Sequence, residues 1–96
     1  MEVSCLKNLV MESLSNLKAL DPVILQVAEL TDITDILVVV SGTSNRHVKA
    51  LAEEVCLKAK AQGVKPLGVE GLVSGDWVLV DFGDLILHVM LPSTRE

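Results

Sequence analysis

The segment DWVLVDFGDLILHVML, residues 76–91, most constrains what this chain of 96 residues can fold into. Two apolar-rich stretches flank Gly83-Asp84, and glycine suits a tight turn because it tolerates positive φ. The pattern therefore predicts a β-hairpin with a two-residue turn. In that register three directly opposed pairs share one face and are all apolar: Phe82–Leu85, Val80–Leu87 and Val78–Val89. This face is predicted to be part of the core.

The opposite face of the predicted hairpin is mixed in character. It carries a large aromatic ring, two ionisable groups and several apolar side chains: Trp77, Leu79, Asp81, Ile86, His88 and Met90. Tryptophan and methionine beside a few charges are typical of binding hot spots. From the residues alone two alternatives stay open, a face covered by a helix and a face available to a partner.

Upstream of the hairpin the sequence pattern predicts two helices and three strands. Apolar residues at helical spacing predict amphipathic helices over 3–19 and 44–62. Strands are predicted over 23–30, 36–42 and 65–71, and the nearly continuous apolar run of 36–42 indicates a central strand buried on both faces.

The strand–helix–strand unit over residues 36–69 predicts a parallel pair of strands. The hairpin adds antiparallel strands, so the fold class is α/β, with a mixed β-sheet and flanking helices. A chain of this length is expected to form a single domain over residues 1–96.

The net charge of −5 narrows the classes of partner. It argues against binding to naked nucleic acid or to an anionic membrane surface, where lysine and arginine must neutralise phosphates. Between Pro66 and Pro92 the chain has no Lys or Arg but four acids: Glu70, Asp76, Asp81 and Asp84. These acids are compatible with a basic protein as partner. The alternative is that they only keep the surface soluble.

The cysteines and the chain start indicate a cytoplasmic protein. Cys5 and Cys56 lie in apolar helical patterns and are far apart in sequence, so we expect them to be reduced and packed. The first residues lack the pattern of a signal peptide. The longest apolar runs are far too short to span a membrane.

The run Gly42-Thr43-Ser44-Asn45-Arg46-His47 joins a predicted strand to a predicted helix. Thr43, Ser44 or Asn45 can each cap the helix. A phosphate-binding loop generally needs several glycines and a lysine, whereas this run has one glycine and one arginine. Capping is therefore favoured, and a nucleotide-binding or nucleotidyl-transfer protein is the alternative. No carboxylate pair that could hold Mg²⁺ lies beside the loop, so we expect no metal, no cofactor and no catalytic residue.

Three runs, taken together, resemble the ribosomal silencing factor family, also called the Iojap family: LTDITDILVVVSGTSNRHVKALAEEV, GVKPLGVEG and DWVLVDFGDLILHVM. The resemblance is collinear and covers roughly residues 21–91. It implies a binding function and not an enzyme. Family members dock on the large ribosomal subunit, chiefly through large-subunit ribosomal protein fourteen, and block joining of the small subunit. Translation is repressed as a result, and organellar relatives act in ribosome assembly.

The resemblance also implies a fold like a degenerate nucleotidyltransferase core that lacks the catalytic metal-binding acids. Family members usually continue past the last strand into a further helix. This chain ends in LPSTRE and is expected to lack that C-terminal helical tail. A face left uncovered in this way makes a homodimer a further expectation.

By the same resemblance, the characteristic tryptophan of the family corresponds to Trp77 and its strand histidine to His88. Its Asp-x-Gly-Asp motif corresponds to Asp81, Gly83 and Asp84, and its Gly-Thr-Ser-x-Arg-His motif to residues 42–47. Tryptophan is expected to anchor a basic partner, and the acids to steer it. The predicted partner-binding residues are Trp77, Leu79, Asp81, Asp84, His88, Met90, Asp76 and Glu70.

Overall fold

A computed structural model describes the whole chain, residues 1–96. Its elements are α1 (Val3–Asn16), β1 (Leu20–Gln26), β2 (Ile36–Ser41), α2 (Asn45–Ala61), β3 (Gly68–Glu70), β4 (Trp77–Asp81), β5 (Leu85–Met90) and α3 (Pro92–Arg95). The predicted α2 and the predicted hairpin of β4 and β5 are confirmed. None of the three helices is long and apolar enough to cross a membrane.

The five strands form one mixed sheet in the order β1-β2-β5-β4-β3. β2 and β5 are parallel, and the other three pairs are antiparallel. The prediction that β2 pairs with the strand after α2 is wrong, because β5 and β4 lie between β2 and β3. The three-residue β3 suits a sheet edge, whereas the longer and more buried β5 suits the centre.

Both long helices pack on one face of the sheet and form a single core with it. The buried cluster takes its members from α1, α2 and three strands, β2, β4 and β5: Leu6, Val10, Leu14, Val48, Leu51, Ala52, Val55, Ile36, Val38, Val40, Val78, Val80, Leu85, Leu87 and Val89. The predicted core face of the hairpin is confirmed, with Phe82 half-buried against this cluster. The opposite face of the sheet is therefore left without a long helix over it.

Two predictions about the first strands are wrong. β2 is not buried on both faces, because Leu37 and Val39 point away from the helices and are only half-buried. β1 begins at Leu20, earlier than predicted, and is exposed throughout. Its pairing with β2 shifts near Asp21, which adopts a φ of +48°. The Asp21-Pro22 step is thus an irregularity inside an edge strand, where proline is tolerated.

The two cysteines are free, and they differ in burial. The expectation that both are packed is wrong for Cys5, which is exposed near the start of α1. Cys56 is half-buried on α2. Burial raises the pKa of the Cys56 thiol, and the nearby Glu53 carboxylate raises it further. Cys56 is consequently held as a thiol.

Candidate partner-binding face

The side of the sheet opposite α1 and α2 forms a continuous surface, here termed the open face. Directly paired residues on neighbouring strands point to the same side of a sheet, so the register defines its members. They are Val23 and Leu25 of β1, Leu37, Val39 and Ser41 of β2, Ile86, His88 and Met90 of β5, Trp77, Leu79 and Asp81 of β4, and Glu70 of β3. The mixed face predicted for the hairpin is the central part of this surface.

The open face has an apolar half and an acidic half. The exposed side chains that β1 and β2 contribute are apolar, and Val23 and Leu25 are 40% and 46% exposed, whereas the polar Ser41 of β2 is buried. β4 and β3 contribute the carboxylates of Asp81 and Glu70. The apolar half is not predictable from the sequence, because ILVVVS is apolar at almost every position and shows no alternation that would mark an uncovered side.

Trp77 is the most prominent side chain of the open face. It is the only tryptophan of the chain and is 52% exposed. Its indole Nε1 donates a 3.0 Å hydrogen bond to Nδ1 of His88, with ring centroids 5.8 Å apart and ring planes tilted by 47°. Trp77 pairs with Met90, and His88 pairs with Leu79, so the two rings meet diagonally across the hairpin. The sequence placed both rings on one face but did not predict this bond.

The hydrogen bond fixes the protonation pattern of His88. Because Nδ1 accepts from the indole, the proton of the neutral imidazole lies on Nε2. His88 is half-buried, and this burial lowers its pKa below the ordinary value of 6.5. The neutral ring, which is the form that can accept from Trp77, is thus favoured at physiological pH.

Two of the predicted acids lie on the open face. Asp81 is half-buried, and its Oδ1 accepts a 2.7 Å hydrogen bond from the Gly83 amide in the hairpin turn. This bond supports the turn, in which Gly83 adopts a φ of +90°. Glu70 is exposed on β3 and directly opposite Leu79. Glu70 and Leu79 line one shallow depression together with Trp77, so an acid, an apolar side chain and the indole are adjacent.

The other two acids lie beside the open face. Asp84 is exposed at the hairpin tip, where only its backbone carbonyl is engaged, accepting from the Asp35 and Ile36 amides. Asp76 precedes β4, and its carboxylate accepts from the side-chain amide of Asn45 at the start of α2. Asp84 is therefore free to interact with a partner, whereas Asp76 helps to attach β4 to the start of α2.

Met90 is on the open face but offers little surface. It is 8% exposed, and its neighbour in register, Ser41, is 2% exposed. The chain after β5 folds back at this end of the sheet, since Nη1 of Arg95 donates a 3.1 Å hydrogen bond to Oγ of Ser41. The accessible part of the open face is therefore centred on Trp77, Leu79, Ile86 and the apolar side chains of β1 and β2.

The polar residues of the 42–47 loop bond to one another and to α1. Ser44 is the N-cap of α2, and its Oγ accepts from the His47 amide at 3.1 Å, which confirms capping. Nδ1 of His47 accepts from the Thr43 amide at 2.8 Å, and Nε2 donates to the Leu17 carbonyl at 2.7 Å. His47 thus links the loop to the end of α1.

Gly42 and Arg46 complete the loop. A Cβ on Gly42 would lie 2.9 Å from the backbone nitrogen of Val48, so only glycine allows α2 to begin this close to β2. Arg46 is exposed. No group of three or more His, Cys, Asp or Glu side chains is arranged to hold a metal ion. The loop residues therefore connect β2 to α2 and to the end of α1.

Comparison with known proteins identifies the family. The family described as "Ribosomal silencing factor during starvation" matches residues 2–96. Ribosomal silencing factor RsfS of Chromobacterium violaceum is 45% identical over 96 residues, covering 100% of this chain and 79% of that protein. The mouse protein named "Mitochondrial assembly of ribosomal large subunit protein 1" is 37% identical over 81 residues, covering 81% of this chain and 36% of that protein.

A crystal structure from Chromobacterium violaceum has the same fold. It superimposes with a TM-score of 0.96 at 45% identity and covers 99% of this chain and 79% of that chain. The resemblance seen in the three sequence runs is thus matched along almost the entire chain and in three dimensions. The chain belongs to the ribosomal silencing factor family, RsfS.

Proposed function

We propose that this chain binds the large ribosomal subunit through its open face and prevents the small subunit from joining, so that translation is repressed. Family membership supports an association with the ribosome. The name of the mouse relative refers to assembly of the large ribosomal subunit, which supports the large subunit as partner. The observation that carries the proposal is a five-stranded face that no long helix of the chain covers and that displays Trp77.

The partner on the large subunit is large-subunit ribosomal protein fourteen. This assignment rests on the resemblance described above, and the charges on the face support a basic partner. Asp81 and Glu70 lie on one half of the open face, and Asp84 lies exposed at the adjacent hairpin tip. Within the range of about 8–10 Å over which charges interact at physiological salt, these carboxylates attract a basic surface and set its orientation.

Binding is expected to draw its free energy mainly from the apolar side chains. Trp77 is exposed enough to insert into a pocket of the partner, as buried aromatic anchors do at interfaces. Leu25, Leu37 and Ile86 form one row across three strands, which gives the partner an apolar strip to cover. The mechanism is steric occlusion, and no chemical step or cofactor is required for it.

The proposal is tested by sedimenting the chain with isolated large subunits, isolated small subunits and joined ribosomes. We expect selective binding to the large subunit and fewer joined particles when both subunits are supplied. Binding to purified large-subunit ribosomal protein fourteen tests the named partner. Trp77→Ala should lose as much affinity for the purified protein as for whole large subunits. Leu57→Ala is the matched control, because Leu57 is 64% exposed but lies on α2, behind the sheet.

The possible outcomes distinguish binding to the large subunit from binding to the specific ribosomal protein. Binding to large subunits without binding to the purified protein would reject that partner and keep the large subunit. Equal binding to both subunits, or no effect on joining, would reject the silencing mechanism. Equal losses in Trp77→Ala and Leu57→Ala would reject the open face as the binding surface.

A further inference from the structure

The indole of Trp77 has one polar group, and that group has a partner within the chain. Nε1–H donates to Nδ1 of His88 at 3.0 Å. A half-exposed tryptophan on an uncovered sheet would otherwise be free to sample several rotamers, and ordering it on binding would weaken affinity. The bond to His88 restricts the indole to one orientation before any partner arrives.

The surroundings of His88 leave few other interactions for its ring. On β2 it faces Val39, and on β4 it faces Leu79, both apolar. Two carboxylates share the open face with it: Asp81, diagonal to it on β4, and Glu70 on β3, beyond Leu79. Asp81 uses Oδ1 to hold the hairpin turn. Trp77 is the only side chain that is hydrogen-bonded to the His88 ring.

We infer that His88 is a positioning residue for partner binding: the neutral imidazole holds the Trp77 indole in its binding orientation, and protonation of the imidazole releases it. This inference rests on the proposed function. Protonation places a proton on Nδ1, which then can no longer accept from the indole N–H. The bond is lost in a single step, because both rings would present N–H groups to each other.

The inference predicts binding that depends on pH. As pH falls through the range in which histidine titrates, between about pH 8 and about pH 5, the fraction of chains with an ordered indole falls. The half-buried position of His88 lowers its pKa, so the loss occurs toward the acidic end of that range. Affinity for large subunits is expected to fall roughly threefold to tenfold, which is the effect of losing one neutral hydrogen bond.

The first test uses the free chain. Trp77 is the sole tryptophan, so the intrinsic fluorescence of the unmodified protein reports on this one ring. We expect its intensity to fall on acidification, because a protonated imidazole quenches a neighbouring indole. In His88→Asn the amide oxygen takes the place of Nδ1 as an acceptor and does not titrate, so the fluorescence should stay constant. His47 remains in the variant and serves as an internal control. A titration that persists in His88→Asn, or that is missing from the wild type, overturns the inference.

The second test uses isolated large subunits. His88→Asn keeps a non-titrating acceptor, so its affinity should not change on acidification, and at neutral pH it should bind more tightly than His88→Leu. His88→Leu removes the acceptor and should bind roughly threefold to tenfold more weakly at every pH. Equal binding by wild type and His88→Leu at neutral pH overturns the positioning role. Trp77→Phe keeps an aromatic ring without the N–H and should remove the pH dependence.

The two tests distinguish this inference from the proposed function. A fluorescence titration assigned to His88, combined with no binding to large subunits at any pH, rejects the proposed function and shows that the bond exists without it. Binding to large subunits with no dependence on His88 or on pH supports the proposed function and rejects the positioning role.

Discussion

Glu70 lies directly opposite Leu79 across β3 and β4, and both side chains line the same shallow depression as the indole of Trp77. Gly71 also lines this depression, and its φ of +91° lets the chain turn tightly at the end of β3. A Cβ on Gly71 would clash with the Trp77 carbonyl oxygen, so this position requires glycine. A cationic side chain placed here would meet a carboxylate and the face of an aromatic ring together.

Trp77→Ala should weaken binding to the large subunit by at least about 2 kcal/mol, or roughly thirtyfold in Kd. The reason is the loss of a large aromatic anchor that is 52% exposed in the free chain. Equilibrium binding to isolated large subunits measures the effect, and circular dichroism checks that the variant is folded. Leu57→Ala, which shortens another exposed apolar side chain on α2, should bind normally. If the folded Trp77→Ala variant binds with unchanged affinity, Trp77 is not part of the interface.

Charge reversal at Glu70 or Asp84 should slow association with the large subunit and reduce its dependence on salt. Both carboxylates are exposed, and only the backbone carbonyl of Asp84 is engaged in the fold. Long-range steering acts on the association rate more than on dissociation. Association rates measured by stopped flow or on a biosensor at several salt concentrations test this prediction. The control is Glu12→Lys on α1, which changes the net charge by the same amount. If Glu12→Lys has the same effect, net charge and not the open face steers association.

Asp81 requires a milder substitution because its Oδ1 also holds the Gly83 amide. Asp81→Asn removes the charge but keeps an oxygen that can accept this hydrogen bond. We expect a slower association rate with little change in the free energy of unfolding. A large loss of stability in Asp81→Asn would mean that the carboxylate serves the hairpin turn and not the partner.

The pH dependence of stability should contain a contribution from His88. Its pKa is lowered by burial in the folded chain, so the unfolded chain binds more protons once pH falls below the ordinary value of 6.5. The free energy of unfolding therefore decreases as pH falls through this range and is unaffected by His88 well above it. Urea unfolding at several pH values should show a shallower slope in His88→Asn than in the wild type. Identical slopes would contradict the lowered pKa of His88.

Ser44→Ala should lower the free energy of unfolding by about 0.5–2 kcal/mol, because it removes the cap of α2. Binding to large subunits should be unchanged, since the loop is separate from the open face. Thermal unfolding with nucleotides and Mg²⁺ tests the alternative function of this loop. A rise in Tm with millimolar nucleotide that disappears in Ser44→Ala would favour a nucleotide site at Gly42–His47.

Local patterns in the sequence were sufficient for the hairpin and for α2. Gly83 next to alternating apolar residues predicts the turn and the pairing of Val80 with Leu87, because register in a short hairpin is set by its turn. The apolar spacing from Val48 to Ala59 and the cap at Ser44 predict α2. The predicted strand begins at Val23, whereas β1 begins at Leu20, because Asp21-Pro22 resembles a break in the sequence but lies inside an edge strand.

By itself, the sequence determined that one side of the hairpin is apolar and that the other side holds Trp77, Asp81 and His88, because side chains alternate strictly along a strand. Only the tertiary structure decided that both helices cover the same side and that β5 lies beside β2. These two features join the apolar side chains of β1 and β2 to the hairpin in a single open face. They depend on packing between segments far apart in the chain, which local periodicity does not encode. The bond between Trp77 and His88 likewise depends on the rotamers that the assembled sheet selects.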